Sequence, residues 1–179
     1  MNRRIVLAAR PSGMVDETTT RLEQSPEPEP GPGQALVHVR FLSVDPTIRT
    51  WMDDAPGYLP PIGIGETVRG GGVGEVVRSN CDRYAVGDLV VGMTGWQDYV
   101  IADEGAASMQ VIPPGIEPPL VLSVLGVTGM TAYFGMIDVG TVAEGDTVVV
   151  SGAAGATGSV AGQIARIKGA ANVVGIAGS

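Results

Sequence analysis

The stretch TVVVS (147–151), GAAGATG (152–158), SVAGQIARIK (159–168), followed after Gly169 by NVVGIA (172–177), decides how this chain is read. TVVVS is short, apolar and rich in β-branched residues, the composition of a strand buried on both faces of a parallel sheet. Residues 159–168 predict a helix, with Val160, Ile164 and Ile167 at i, i+4 and i+7 on one face. Gly169 follows, where a left-handed cap favours glycine. Residues 172–177 predict a second apolar strand. The order is strand, glycine-rich turn, helix, strand.

That order has a chemical use. The chain must bend sharply from strand to helix, and its backbone must come close to a diphosphate. Side chains would block the approach, so Gly152, Gly155, Ala156, Thr157 and Gly158 are the candidate contacts, with Gly158 also letting the helix pack closely. The helix N-terminus adds free N–H groups and a partial positive charge. The first glycine of the usual G-x-G-x-x-G pattern is replaced by Ala153, with Gly152 beside it. An ordinary tight turn in another α/β protein is the alternative, and the strand before and helix after weigh against it. A site for NAD usually carries an acid about 20 residues on, gripping the ribose 2′-hydroxyl. Here that region reads GIAGS (175–179), without a carboxylate, and the Ser179 hydroxyl is a candidate donor to a 2′-phosphate. The pattern favours NADP(H).

Composition narrows the rest. The 179 residues are 44% hydrophobic and 17% charged, which suits a soluble globular protein with a true core. The 27 glycines and 13 prolines then mean turns rather than disorder. A net charge of −8 with no Lys/Arg cluster argues against nucleic acid as a partner. Cys81 and His38 are the only residues of their kinds, which excludes an internal disulfide and the usual tetrahedral zinc set. The basic N-terminus has an apolar run too short for a secretory signal, so a cytoplasmic protein is expected. Residues 118–137 are uncharged over roughly the length of a membrane span. Their prolines and glycines and the acidic flanks Glu117 and Asp138 favour a buried soluble segment, and no membrane partner is expected.

The front of the chain reads as all-β. In QALVHVRFL (34–42), Ala35, Val37, Val39 and Phe41 point one way and Leu36, His38 and Arg40 the other. SPEPEPGPGQ (25–34) is an exposed connector. Further strands are predicted at 72–77, 88–93, 97–102 and 108–112, with a turn at Gly87-Asp88. After Pro113-Pro114-Gly115 the pattern becomes helical through 119–140, with turns at Val139-Gly140 and Glu144-Gly145-Asp146. The domain boundary is placed between residues 115 and 120, giving units 1–117 and 118–179.

These segments together are similar to a known family. LSVDPTIR (42–49), IGETVRGGGVG (64–74), GWQDY (95–99), LGVTGMTAYFG (125–135), VSGAAGATGSVAGQIA (150–165) and VVGIAGS (173–179) resemble the zinc-independent medium-chain dehydrogenase/reductases, in their alkenal/one double-bond reductase branch. The resemblance implies a GroES-like β-barrel followed by the first part of a Rossmann α/β domain. It implies NADPH-dependent reduction of the C=C bond of α,β-unsaturated ketones or aldehydes by hydride transfer. It sets Leu42 and Gly70 where zinc-dependent relatives carry metal ligands, so no metal is expected. It lays Gly155 to Gly158 on the cofactor diphosphate and Met130 and Thr131 near the nicotinamide. The family often has Tyr where this chain has Thr47. The resemblance also implies a longer protein, a homodimer when full-length, whose catalytic hydroxyl and phosphate-binding basic residues lie beyond Ser179.

Other residues admit plainer roles. Asp45, Thr47, Arg49 and Tyr58 are candidates for the substrate pocket, although Asp45 and Arg49 are equally suited to pairing with each other. His38 reads as a solvent-facing strand residue, Cys81 as incidental, Trp96 and Tyr99 as packing residues. Two other functions stay open: a quinone reductase, and an inactive folding or assembly module whose open sheet edges pair with another chain.

Overall fold

The computed structural model describes residues 1–105 and 109–178. The predicted strand start at Ser108 and the predicted 2′-phosphate contact of Ser179 lie outside the described residues. The chain forms two compact units, Met1–Pro118 and Pro119–Ser179.

The first unit begins with an antiparallel hairpin, β1 (Asn2–Leu7) on β2 (Thr20–Ser25). Its main sheet contains β3 (Gln34–Leu42), β4 (Gly71–Ser79), β5 (Leu89–Met93), β6 (Tyr99–Asp103) and β7 (Gln110–Val111). The order is β6-β3-β4-β5-β7, antiparallel throughout. Backbone hydrogen bonds lace β1 to the chain beside this sheet. The Ile5 N–H donates to the Trp96 carbonyl at 2.9 Å, and the Val68 N–H to the Ile5 carbonyl at 2.8 Å. The edge that β1 would otherwise expose is thereby paired, which gives the unit its barrel character.

Two apolar clusters hold it. Ala35, Val37, Val76, Tyr84, Val90, Ala102 and Met109 pack across the sheet. Leu7, Ile48, Met52, Ile62 and Val68 form the second cluster, flanked by Trp51 and Trp96. Tyr84 is fully buried, and its hydroxyl donates to the Met109 carbonyl at 2.8 Å, so its polar tip is satisfied inside the core. Burying a Val or Leu side chain is worth about 1.5–3 kcal/mol, so these clusters outweigh any surface ion pair here.

Three features of this unit differ from the sequence expectation. Both hairpin strands were unanticipated; β2 is polar, has no fully buried residue and offers no alternating stripe. The helix α1 (Pro46–Trp51), with Pro46 in its first turn and only Ile48 buried, is too short to show a helical period. The alternation read into β3 is interrupted. Ala35, Leu36 and Val37 are all fully buried, while Phe41 is exposed. Register shifts against β4 between Leu36 and Val37 and between Val39 and Phe41 insert extra residues and re-aim the side chains.

The second unit contains α2 (Pro118–Val121), α3 (Val127–Phe134), a π-helical turn (Gly135–Val139), β8 (Thr147–Ser151), α4 (Ala156–Ile167) and β9 (Asn172–Ile176). β8 and β9 are parallel, in register from Thr147 against Asn172 to Ser151 against Ile176. The helix expected through 119–140 is broken. The Ser123 hydroxyl donates to the Pro119 carbonyl at 2.9 Å and draws the chain out of helical continuation. It then folds back so tightly that a side chain on Gly126 would strike the Val121 carbonyl. No helix among the described residues is long and apolar enough to cross a membrane.

α4 starts three residues before the predicted position 159, and its buried face differs from the one expected. Ala161 and Ala165 are buried, Val160 and Ile164 are partly covered, and Ile167 is 83% exposed. Small residues at i and i+4 let the helix lie close on β8, whose Val150 packs against Ala161 and Ala132. The end matches expectation. Gly169 has φ +84°, its N–H reaches the Arg166 carbonyl at 3.0 Å, and the Ala170 N–H reaches the Ala165 carbonyl at 3.1 Å. These are the two bonds of a Schellman cap.

Thr141 is the one described non-glycine residue with positive φ, at 46°. A β-branched side chain disfavours that conformation by about 1–3 kcal/mol, and Thr141 is exposed. Thr141→Asn and Thr141→Gly are expected to raise the thermal midpoint, the Gly variant by about 1 kcal/mol of stability after its chain-entropy cost. A fall in midpoint for both would show that the hydroxyl makes a compensating contact.

Asp98 carries a pH dependence. The Arg3 guanidinium donates to its carboxylate at 2.8 and 3.1 Å, and this holds the Asp98 carboxyl below its ordinary pKa. A depressed folded value means that the stabilisation is fully present above the ordinary aspartate value and is lost as pH falls through the lower folded one. Asp98→Asn is therefore expected to lower the midpoint slightly at pH 7, with the difference closing below about pH 4. Thermal melts across pH 2–7, about every half unit, check this.

Candidate functional site

The turn between β8 and α4 is built from backbone. Gly152 leaves the strand with φ +62°, a conformation that side chains disfavour. The Gly155 N–H then donates to the Gly152 carbonyl at 2.9 Å and tightens the bend. Gly155 is the N-cap of α4, in an extended conformation. A side chain on Gly158 would collide with the Gly152 carbonyl and come within 2.9 Å of the Ala153 Cα. The glycine expected to let the helix pack on the strand thus makes room for the turn itself.

The bend is tethered from a second side. The Ala153 N–H donates to the Ile176 carbonyl at 3.0 Å, which ties the turn to the end of β9. A Cβ on Gly175 would sit 2.8 Å from the Ala153 methyl. Gly175 is therefore part of the site's support, a role the sequence reading did not assign. A glycine inside a strand was its available signal.

The open side of the turn presents the N-terminus of α4. No side chain caps Gly155, and the first turn of α4 carries no acidic residue. Gly152, Ala154, Gly155 and Ala156 are exposed. The positive end of the helix dipole therefore meets solvent with small residues around it, a setting suited to a phosphate group. Thr157 is half-buried in that first turn. On α3, Met130 and Thr131 are both exposed, and the Thr131 hydroxyl donates to the Val127 carbonyl at 2.7 Å.

The expected substrate residues lie in the first unit. Asp45 and Arg49 do not pair with each other. The Asp45 carboxylate accepts the Ser43 hydroxyl at 2.6 Å. Arg49 contacts Asp53 at 2.7 Å and donates to the Gly13 carbonyl at 2.8 Å. Asp45 is engaged by Ser43, and Arg49 pairs instead with the carboxylate four residues on. Arg10 donates to the carbonyls of Met52 and Ile62, both at 2.7 Å, and pins the loop between them. Thr47 is exposed, and its carbonyl accepts the Thr50 hydroxyl at 2.7 Å. Tyr58 is 72% exposed, edge-on to Trp51 with ring centroids 6.0 Å apart, and lines a cavity of about 180 Å³. A larger trough of about 300 Å³, near β1, includes none of these four residues. Its Arg3, Arg4 and Arg40 are each paired with a carboxylate.

The remaining candidates have structural roles. His38 is half-buried and stacks on Tyr99 with centroids 4.7 Å apart. Cys81 packs against the first apolar cluster. Trp96 occupies the space beside Gly70, where a Cβ would lie 2.7 Å from its indole nitrogen. Among the described residues no group of three or more His, Cys, Asp or Glu side chains is arranged to hold a metal ion.

Comparison with known proteins gives this geometry a context. The chain is 45% identical to the NADPH-dependent curcumin reductase of Escherichia coli over 99% of its own length and 51% of that protein. It is 37% identical to the NADP⁺-dependent 2-alkenal reductase of Nicotiana tabacum, over 83% of this chain and 43% of the relative. The crystal structure of CurA from Vibrio vulnificus in complex with NADPH superposes with a TM-score of 0.91 at 43% identity, covering 99% of this chain and 52% of that one. The chain thus spans about half the length of the relatives it matches. That likeness shows the architecture of the N-terminal half of such oxidoreductases, a GroES-like barrel followed by the start of a Rossmann domain. Residues 3–111, more than half of the chain, match the family described as the N-terminal domain of oxidoreductase, and the protein belongs to that family.

Proposed function

We propose that this chain is the front part of an NADPH-dependent reductase acting on the C=C bond of α,β-unsaturated ketones or aldehydes. In this reading the unit over 1–117 carries the substrate-side residues, and the unit over 118–179 the nucleotide site. The observation that carries it is the β8–α4 turn. Gly152, Gly155 and Gly158 keep side chains out of a cradle at an uncapped helix N-terminus. A diphosphate fits there because the donors are backbone N–H groups and the approach is unobstructed. The cofactor would supply hydride. The residues of this chain would bind its diphosphate through the first-turn amides, with Met130 and Thr131 on the adjoining helix facing outward from the same unit.

The preference for the phosphorylated dinucleotide is supported by the end of β9. The region after Ile176 has no carboxylate to repel a 2′-phosphate. The relatives add support, since two are named for NADP-dependent reduction and one was crystallised with NADPH. The unsaturated carbonyl substrate is supported by the alkenal reductase relative.

Titration of NADPH and NADH into the protein, followed by nicotinamide fluorescence, tests the cofactor. Saturable binding of NADPH, tighter than NADH, is expected. Gly158→Ala, whose methyl must displace the Gly152 carbonyl, is expected to weaken binding by at least about tenfold. Gly162→Ala serves as control, because its nearest neighbour would be 3.7 Å away. Absence of NADPH binding up to millimolar concentrations would overturn the reading. For the full-length reductase, oxidation of NADPH with a simple enone is the activity expected; turnover of a quinone without the enone would replace the C=C assignment with quinone reduction.

A further inference from the structure

Two segments of the first unit have no regular structure: residues 10–16, which precede β2, and residues 52–62, which follow α1. Neither is held by its own backbone. Among the described residues, the main-chain groups of 10–15 and of 53–61 form no backbone–backbone hydrogen bond. Side chains hold them instead, in a crossed pattern. Arg10, in the first segment, donates through Nη1 to the carbonyls of Met52 and Ile62, each at 2.7 Å, and so grips both ends of the second segment. Arg49, on the helix that leads into the second segment, reaches back to the first. Its Nε donates to the Gly13 carbonyl at 2.8 Å, and its Nη2 makes a longer contact to the Pro11 carbonyl at 3.4 Å. Its Nη1 meanwhile holds Asp53 at 2.7 Å. We propose that Arg10 and Arg49 form a reciprocal clasp that makes residues 10–16 and 52–62 open and close as one body.

The coupling follows from the shape of the guanidinium. It is a rigid planar fork, so it meets several acceptors at once only while all of them are in place. Departure of either segment removes acceptors from one arginine and carries away, or frees, the other. The Arg10 and Arg49 side chains are 31% and 29% exposed, so water competes weakly for their donors and the charge-assisted bonds keep much of their strength. The anchors are firm. Met52 and Ile62 belong to the buried cluster with Leu7 and Ile48, the latter next to Arg49 in sequence. Opening is therefore confined to the stretches between the anchors, the setting of a small cooperative unit. All three nitrogens of Arg49 are engaged within the chain, so this side chain acts on the 10–16 segment. Residues of the 50–61 stretch wall the cavity of about 180 Å³, and its access thus follows the state of a segment far earlier in sequence.

Native-state digestion with thermolysin tests the clasp, because this protease cuts ahead of large apolar residues and only where the chain has opened locally. The Met14–Val15 bond reports the first segment and the Tyr58–Leu59 bond the second. The Ala85–Val86 bond, in a separate turn where Val86 is exposed, is the reference. Cleavage of the 179-residue protein at each bond is followed by mass spectrometry. Arg49→Gln is expected to speed cleavage at Met14–Val15 and at Tyr58–Leu59 alike, by about tenfold, with the reference unchanged. Arg10→Gln is expected to do the same at both bonds. The double variant is expected to add little to either single one, since a clasp already open has nothing more to lose. The proposal is overturned if Arg49→Gln releases only Met14–Val15 and Arg10→Gln only Tyr58–Leu59, because the segments then move independently. Equal acceleration at all three bonds, which marks general destabilisation, or no acceleration at any, overturns it as well. The measurement uses neither cofactor nor turnover, so its failure and that of the reductase reading are separate events.

Discussion

Where β8 gives way to α4, the backbone folds back until the Gly152 carbonyl occupies the place a Gly158 side chain would take. The second unit depends on this contact. It brings α4 onto β8, so that Ala161 packs against Val150 of the strand. It also aims the first-turn amides of α4 outward, past residues too small to screen them. One steric constraint thus sets both the packing of the unit and the chemistry of its surface. The tether from Ala153 to Ile176 and the space left by Gly175 hold the turn against β9, so the cradle has support from both strands.

The first unit is organised around a different constraint, the placement of its arginines. Arg3, Arg4, Arg10, Arg21, Arg40, Arg49 and Arg78 each have a carboxylate within 4.0 Å, whereas Arg69 and Arg83 donate to backbone carbonyls. Arg49 takes Asp53, just past the end of its helix, while Asp45 turns back to Ser43. Arg10 takes two carbonyls and closes the loop that carries Tyr58. These contacts are only part-buried, so their effect on overall stability is small beside the apolar clusters. Their consequence is geometric, because they decide which loops are held and which polar groups are left without a partner.

Much of the second unit was legible in the sequence. β8 has the bounds that its β-branched run suggests, and Gly169 caps α4 as its position suggests. The reading failed where the signal was steric or long-range. The helix start at Ala156 was missed because residues 156–158 have no apolar side chain to show the period. The break after α2 was missed because a Ser hydroxyl reaching a proline carbonyl leaves no mark on hydropathy. In the first unit β3 was correctly bounded, yet its facing was misread, since a bulge changes which side each residue takes without altering composition.

The candidate substrate residues divide in the same way. Their types were suitable, but pairing between Asp45 and Arg49 depended on where α1 begins, and a six-residue helix has no periodic signature. The order of residues along the chain was enough to determine the strand–turn–helix–strand unit and the need for glycine at its bend, because these depend on local propensity and on spacing; the family was legible only through the resemblance of whole segments to known proteins. Only the tertiary structure decided which faces of β3 and α4 are buried, and that Arg49 takes Asp53 while Asp45 takes Ser43. Those outcomes depend on distances between segments far apart in sequence, and local composition does not encode such distances.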